Sequence, residues 1–394
     1  MMGISCDILV VGGGMAGISA AIKAAREGAC TLLVEKNGFP GGIPVSGMHR
    51  YICGLFPTGD QVPFKTLNGG IAEEICSGLK GLSSDTGIIQ MGKVYLLSFR
   101  TKDLVTILKS LSEKQIGLGI LYEKKVVSVK TKNSFIKSVT AEGQTGKIRI
   151  IPRKVIDCSG DGTLIRLSRA AHQLSTARER QLAGFCFKIK GINDPGEMAP
   201  ISVPYCISGA VRRKKLPPYL KYTKFTPGDV SGEGYCLISI PAGGGREKIS
   251  KAINYAVKVH AVLSESLSTF HDSYIYELSS VIVEREGLRM TGEYTLTKED
   301  VLSASKFNDG VVKNAWPIEI WDRKKGPSFQ YLAPGTYYEI PLRCLKSRDI
   351  KNLYCAGRCI SASPEALGST RVMGTCISLG EQAGLAAAKE LIVS

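Results

Sequence analysis

The chain has 394 residues, 44 of them glycine, and its 51 Lys and Arg against 35 Asp and Glu leave a formal charge of +16. A content of 44% hydrophobic and 22% charged residues excludes a wholly disordered chain, and the length implies two domains or one large domain carrying an inserted lobe. The positive balance favours an anionic partner: a phosphate-bearing cofactor, an acidic substrate, nucleic acid or a lipid surface. The first long uncharged run, Ile8 to Ile22, is too short to span a membrane and is broken by glycines. It also lacks the basic flank and small-residue cleavage site of a secretory signal, so a soluble, cytoplasmic protein is expected.

Asp7-Ile8-Leu9-Val10-Val11 reads as a strand, and Gly12-Gly13-Gly14-Met15-Ala16-Gly17 follows it at once in the pattern G-x-G-x-x-G. Ile18 to Gly28 is alanine-rich with apolar residues at helical spacing, and Cys30-Thr31-Leu32-Leu33-Val34-Glu35 reads as a second strand ending in an acid. This βαβ unit is built for a dinucleotide. Gly12 permits the tight turn, Gly14 lets the backbone approach a pyrophosphate, and Gly17 lets the helix pack closely on the sheet. The helix N-terminus, at Met15 and Ala16, offers N–H groups and a positive dipole end to the phosphates. Glu35, 18 residues past Gly17, can accept both ribose hydroxyls of an adenosine and would repel a 2′-phosphate; Lys36 follows it.

Further along, Phe39-Pro40-Gly41-Gly42 leads into Ser46-Gly47-Met48-His49-Arg50-Tyr51-Ile52-Cys53. Asp103 to Glu113 reads as a helix and Gly119 to Tyr122 begins a strand. Val126 to Lys130, Ile136 to Ala141 and Lys147 to Ile151 alternate as a β-meander. Val155-Ile156-Asp157-Cys158-Ser159-Gly160-Asp161-Gly162 is an apolar strand running into a small-residue turn. Phe185 to Ile189 and Tyr235 to Ile240 are strand-like, and a helix is expected from Lys248 to about Thr269. Gly243-Gly244-Gly245-Arg246 is a loop that could cradle an anion, but there is no second dinucleotide motif around it. Near the end, Leu353-Tyr354-Cys355-Ala356-Gly357-Arg358 is a buried-type strand and turn, and a Gly/Ala helix starts near Arg371-Val372.

These segments, in this order, resemble the FAD-dependent oxidoreductase family with a glutathione-reductase-type FAD domain. The Val155–Gly162 segment is similar to its "ATGDGD" turn. Gly357-Arg358-Cys359-Ile360-Ser361-Ala362 with Arg371-Val372-Met373 is similar to its "GRCISA…RVM" branch. Arg285-Glu286-Gly287-Leu288-Arg289 followed by Gly292-Glu293-Tyr294 resembles that branch's "RESRRIxGEY". The resemblance implies an α/β fold: a Rossmann-like FAD-binding domain with a β-meander, made of residues 1–56, 102–167 and 337–394, plus an inserted α+β substrate lobe of residues 57–101 and 168–336. It implies non-covalent FAD held by Gly12, Gly14, Met15, Ala16, Gly17, Glu35, Lys36, Gly41, Gly42, Val126, Ser159, Gly160, Gly162, Gly357, Arg358, Arg371 and Val372.

The branch carries histidines where this chain has Trp321, in Ile318-Glu319-Ile320-Trp321, and Pro364. With only four histidines in the chain, His49 is the general-base candidate by position, with Tyr51 and Arg50 next to it and Arg285 and Arg289 from the substrate-lobe motif. Glu293 and Tyr294 of that motif are also expected at the site. The expected reaction is hydride transfer between flavin N5 and a small organic substrate, an anionic one being favoured by the net charge. Two alternatives stand beside it: a flavoprotein that modifies tRNA or another nucleic acid, motivated by basic clusters at 212–215, 323–325 and 147–154, and a non-catalytic FAD-binding subunit, motivated by the missing histidines. None of the twelve cysteines forms a CxxC pair, so no metal site is expected and buried reduced thiols are. A thiol redox pair of Cys53 and Cys359 is the less favoured use of them.

Overall fold

The computed structural model describes residues 3–193, 198–243 and 247–393. Its main sheet runs Leu118–Leu121, Thr31–Val34, Gly3–Val11, Gly146–Asp157, Phe135–Gly143 and Lys125–Lys132, with Leu353–Cys355 added beside the end of Gly146–Asp157. We call Gly3–Val11 β1, the helix Met15–Arg26 α1 and Thr31–Val34 β2. β2 is buried at all four positions and the last four residues of β1 are buried, as expected for parallel strands covered on both faces.

The parallel register aligns the strand ends. Val11 faces Val34 and Asp157, Val34 faces Leu121, and Cys355 faces Asp157. Gly12, Glu35, Cys158 and Ala356 each follow one of these ends directly, and all four line one cavity. The crevice at the carboxyl ends of an open parallel sheet is where such folds bind ligands.

Gly146–Asp157 is one continuous strand, where the sequence suggested a meander strand ending at Ile151 and a separate one from Val155. Pro152 lies between them, but it is itself in register with Cys6, and pairing with β1 continues on both sides of it, at Ser5↔Ile151 and Ile8↔Lys154. The C-terminal helix begins at Met373, two residues after Arg371, because a short helix Pro364–Thr370 precedes it and Arg371 terminates that one. Pro364 sits at the first turn, where its missing N–H costs nothing, and the Ser363 hydroxyl accepts from Ala366 N–H at 3.2 Å.

α1 and the C-terminal helix Met373–Val393 pack through small residues. A Cβ on Gly380 would fall 1.9 Å from the Ala16 carbonyl oxygen, and one on Gly384 would fall 2.3 Å from that of Ala20. Gly384→Ala is therefore expected to cost about 1–3 kcal/mol through overpacking, read as a lowered Tm in thermal denaturation. Helix Gly70–Leu82 packs into the same core through Ile71, Ile75 and Leu79.

A second, antiparallel sheet runs Lys224–Pro227, Gly234–Ile240, Ala183–Lys190 and Tyr274–Leu278. Its own core joins Phe185, Phe187 and Ile238 to Val203, Ala256 and Val259 from helices Ala199–Arg212 and Lys248–Ser266. The long helix ends three residues earlier than expected and gives way to a single 3₁₀ turn, Ser268–Phe270. Two smaller pieces complete the cavity wall. They are the sheet of Tyr51–Ile52, Val94–Ser98 and Ile88–Met91, and the hairpin Ile318–Asp322 with Gly326–Gln330. Among the described residues no helix is long and apolar enough to cross a membrane.

Candidate active site

The cavity has a volume of about 1020 Å³. One part of its wall is the dinucleotide cradle. Gly17 is fixed by contact: a Cβ there would fall 1.7 Å from the Gly12 carbonyl oxygen. Gly42 has φ +60°, and its Cβ would fall 2.9 Å from the Gly14 Cα, so the Gly41-Gly42 segment lies directly against the loop before α1. Gly41 N–H donates to the Gly13 carbonyl at 2.8 Å. At Gly14, by contrast, an added Cβ would meet nothing within 4 Å, because that position opens onto the cavity. No side chain caps the N-terminus of α1 and no acid lies in its first turn, so its leading N–H groups face the space without competition. Glu35 is buried, and its carboxylate is oriented by Gly13 N–H at 2.5 Å and Asn37 N–H at 2.8 Å. These features fit a pyrophosphate at α1 and a ribose at Glu35.

The turn after Gly146–Asp157 is built by Asp157. Its carboxylate accepts from the Ser159 N–H and hydroxyl at 3.0 and 2.6 Å and from the Leu164 N–H at 2.6 Å. Arg358 ties the turn to the second sheet's connections: it donates to the Gly160 carbonyl at 2.8 Å, to Asp161 at 2.7 Å and to the Glu284 carbonyl. Lys36 lies 4.0 Å from the same Asp161.

The rest of the wall gathers charge around two indoles. Glu319 Oε1 accepts from the Trp321 indole N–H at 2.6 Å, and Oε2 from that of Trp316 at 3.3 Å. Burial raises the Glu319 carboxyl, but Arg371, the Trp321 hydrogen bond, Arg285 and Lys224 outweigh it and hold the group below the usual carboxylate range. Arg371 donates to the Glu319 carbonyl at 3.0 Å and to Gln181 at 3.3 Å, while its buried Nε has no partner. Arg285 donates to the Leu182 carbonyl and lies 4.0 Å from the Trp321 ring centroid; Lys224 Nζ lies 4.9 Å from that ring. Burial, then Arg371, lowers the Arg285 pKa, and burial lowers that of Lys224.

His49 presents a buried Nε2 with no partner, and burial, then Arg285, pushes its imidazole down to about 4. Tyr51 is held protonated, its phenol raised by burial. Arg50 is tied to Asp229 and lies 4.8 Å from the Tyr235 ring. Cys53 also lines the cavity, its thiol pushed up to about 12 by burial, while Cys359 is fully buried and donates to the Asp157 carbonyl at 3.2 Å. Every described cysteine is free, so these two form no disulfide.

Of the residues singled out in the sequence, Gly12, Gly14, Met15, Ala16, Glu35, Lys36, Gly41, Gly42, His49, Arg50, Tyr51, Ser159, Gly160, Arg285, Gly357, Arg358, Arg371 and Val372 line this one cavity. Gly17, Val126, Gly162 and Arg289 do not. Val126 is packed in the core on the other face of the main sheet, and Gly162 starts the helix Thr163–Ser168. Arg289 turns to Glu286 at 3.7 Å and Ser175 at 3.3 Å. Glu293 and Tyr294 lie off the cavity too; the Tyr294 hydroxyl donates at 2.9 Å to Asp300, which completes the capping box of Thr297 on the helix Lys298–Leu302. Gly244 to Arg246 lie outside the described residues. The sequence reading missed Glu319, Trp316, Lys224 and Gln181 as neighbours of Arg371 and Arg285. One signal was there: Glu319 and Trp321 are two apart on a strand and so share a face.

The basic clusters are partly consumed by structure. Lys154 pairs with Glu390 at 2.5 Å, Arg153 with Asp7 at 3.4 Å, and Arg323 donates to three backbone carbonyls. Arg212 is the last residue of the helix Ala199–Arg212, and Arg213 to Lys215 follow it. Among the described residues no group of His, Cys, Asp and Glu could hold a metal ion.

The chain is 38% identical over 84 residues to the 4-oxocyclohex-2-ene-1-carboxylate 5-dehydrogenase of Sinomonas cyclohexanicum; the match covers 21% of this chain and only 13% of that enzyme. Among solved structures, the OxyS anhydrotetracycline hydroxylase from Streptomyces rimosus superposes with a TM-score of 0.51 at 11% identity, over 99% of this chain and 63% of that one. A geranylgeranyl bacteriochlorophyll reductase-like protein from Thermoplasma acidophilum gives 0.46 at 13% identity, over 100% and 80% of the two chains. The hydroxylase likeness shows a shared fold. A sequence profile described as FAD dependent oxidoreductase matches residues 7–391, nearly end to end: the chain belongs to that family of flavoenzymes, and FAD is its cofactor.

Proposed function

We propose that the protein transfers a hydride between FAD and a small organic substrate held against His49, Tyr51 and the Trp321 wall. The supporting observation is a single cavity of about 1020 Å³ in which the Gly12–Gly14 loop and Glu35 share space with His49, Arg285 and Glu319. That is at the top of the range of about 300–1,000 Å³ for small-molecule sites.

In this reading residues 1–56, 102–167 and 337–394 hold FAD, and residues 57–101 and 168–336 hold the substrate. The pyrophosphate lies at Gly14, Met15 and Ala16, the adenosine ribose at Glu35, and Arg371 with Val372 at the flavin. Bound FAD supplies N5 as the hydride acceptor or donor. The chain's own groups bind, orient and move protons. His49, neutral because burial and Arg285 disfavour its charge, takes a proton at Nε2, and Tyr51, held protonated, donates a hydrogen bond to a substrate oxygen.

Anaerobic incubation of the yellow holoprotein with a panel of small alcohols, amines, acids and enones tests the reading. Bleaching of the flavin absorbance by one substrate class is the expected result. A purified protein that takes up no FAD, or a flavin that no compound reduces and, once photoreduced, none reoxidises, overturns it.

A further inference from the structure

The charged side chains of the cavity wall do not balance. Lys248 pairs with Glu284, Arg50 with Asp229, and Arg358 and Lys36 with Asp161. At Trp321, Arg285, Arg371 and Lys224 share the carboxylate of Glu319; Glu284, which also acts on Arg285, is paired with Lys248, and Glu286, which also acts on Arg371, lies against Arg289, so positive charge is in excess here. Reduced flavin carries one negative charge, which Arg371, assigned to the flavin in the reading proposed above, would offset. One cation remains. Among the described residues the Lys224 ammonium makes no hydrogen bond and no ion pair; it lies 4.9 Å from the Trp321 ring and feels Glu319 only at a distance. An ammonium held in a protein wall without an anion is costly, and a bound ligand carrying one would relieve the cost.

We propose that Lys224 and Arg285, both held on the Trp321 indole, anchor a carboxylate of the substrate, which makes this a site for a monoanionic carboxylic acid. The remaining lining groups suit an apolar body: Val94 and Leu96 from one small sheet, Trp316, and Phe329 and Tyr331 from the hairpin side. Arg285 offers a planar fork to the carboxylate and Lys224 a point charge. The proposal rests on the hydride-transfer reading for the word substrate, but the anion site stands on its own geometry.

The test titrates the FAD-loaded protein with benzoate and, separately, with its neutral isostere benzamide, following the flavin difference spectrum and the heat of binding. Benzoate is expected to bind at least about tenfold more tightly than benzamide, the difference of one well-placed charge pair. Lys224→Gln should remove that preference with FAD content unchanged, and Lys224→Arg should restore most of it. Equal binding of the two probes, no binding of benzoate, or a benzoate affinity unaltered in Lys224→Gln overturns the proposal. The two readings fail separately. Benzoate bound by a flavin that no compound reduces sinks hydride transfer and leaves the anion site; reduction by a neutral substrate that benzoate does not inhibit does the reverse.

Discussion

Glu319→Gln is expected to destabilise the holoprotein by about 3 kcal/mol while tightening its hold on anions. The two effects have one cause. Glu319 is the carboxylate that acts on all three of Arg285, Arg371 and Lys224, and it stays ionised because their attraction outweighs its burial. Neutralising it leaves three crowded, partly buried cations with less compensation: burial, and after it Arg371, already lowers the Arg285 pKa against the pull of Glu319. The amide also cannot accept from both indoles, since its NH₂ would face the Trp316 or Trp321 N–H. The cost sits at the low end of the range for a broken buried pair because the cluster opens onto the cavity. For the same reason small anions should enter: benzoate or chloride should bind more tightly to Glu319→Gln and recover part of the lost Tm. Thermal melts with and without chloride read both signs. A variant that is destabilised but indifferent to anions would mean that Glu319 serves only the packing of the hairpin.

The contrast between this cluster and the dinucleotide cradle shows what a sequence exposes. The cradle was legible because its parts are contiguous: a buried strand, three glycines whose spacing the backbone demands, a helix and an acid, all within residues 7 to 35. Each glycine answers to a local contact, as Gly17 does to the Gly12 carbonyl. The charged cluster draws Lys224, Arg285, Glu319 and Arg371 from four separated segments, and only tertiary pairing brings them together. Nothing in the residues around Lys224 marks it. Glu319 and Trp321 stood out only as a departure from the resembled pattern, a Trp where relatives have a histidine, and that departure pointed to a missing proton carrier rather than to a cation platform. The motif from Arg285 to Tyr294 misled in the other direction. It reads as one substrate-binding run, yet only Arg285 reaches the cavity, while Arg289 turns to Glu286 and Tyr294 to Asp300. Pro152 hid the continuity of the longest strand, because a strand interior is a disfavoured place for a residue without an N–H.

His49→Gln is expected to lower kcat by about 100- to 10,000-fold without loss of bound FAD, the range for removing a positioned general base. The pH profile separates this role from a packing role. With its imidazole pushed down to about 4, His49 is neutral, and competent to accept a proton, throughout the neutral range. The acid limb of kcat/KM should therefore fall near pH 4, with no inflection at the ordinary histidine value of 6.5. Burial is the larger cause of the depression and Arg285 the second, so Arg285→Gln should move the acid limb upward, toward but short of the unperturbed value. Stability follows the same sign. Between the two values the unfolded chain binds the proton and the folded one does not, so the His49 contribution is present above pH 6.5 and is lost as the pH falls toward 4. Thermal melts across that window should show the loss in the wild type and a smaller one in His49→Gln. A variant that keeps the wild-type rate, with the acid limb unmoved by Arg285→Gln, would take the proton away from His49. The remaining candidate would be Tyr51, whose raised phenol can donate a hydrogen bond but cannot act as a base at neutral pH, so the substrate would then have to give up its proton to water.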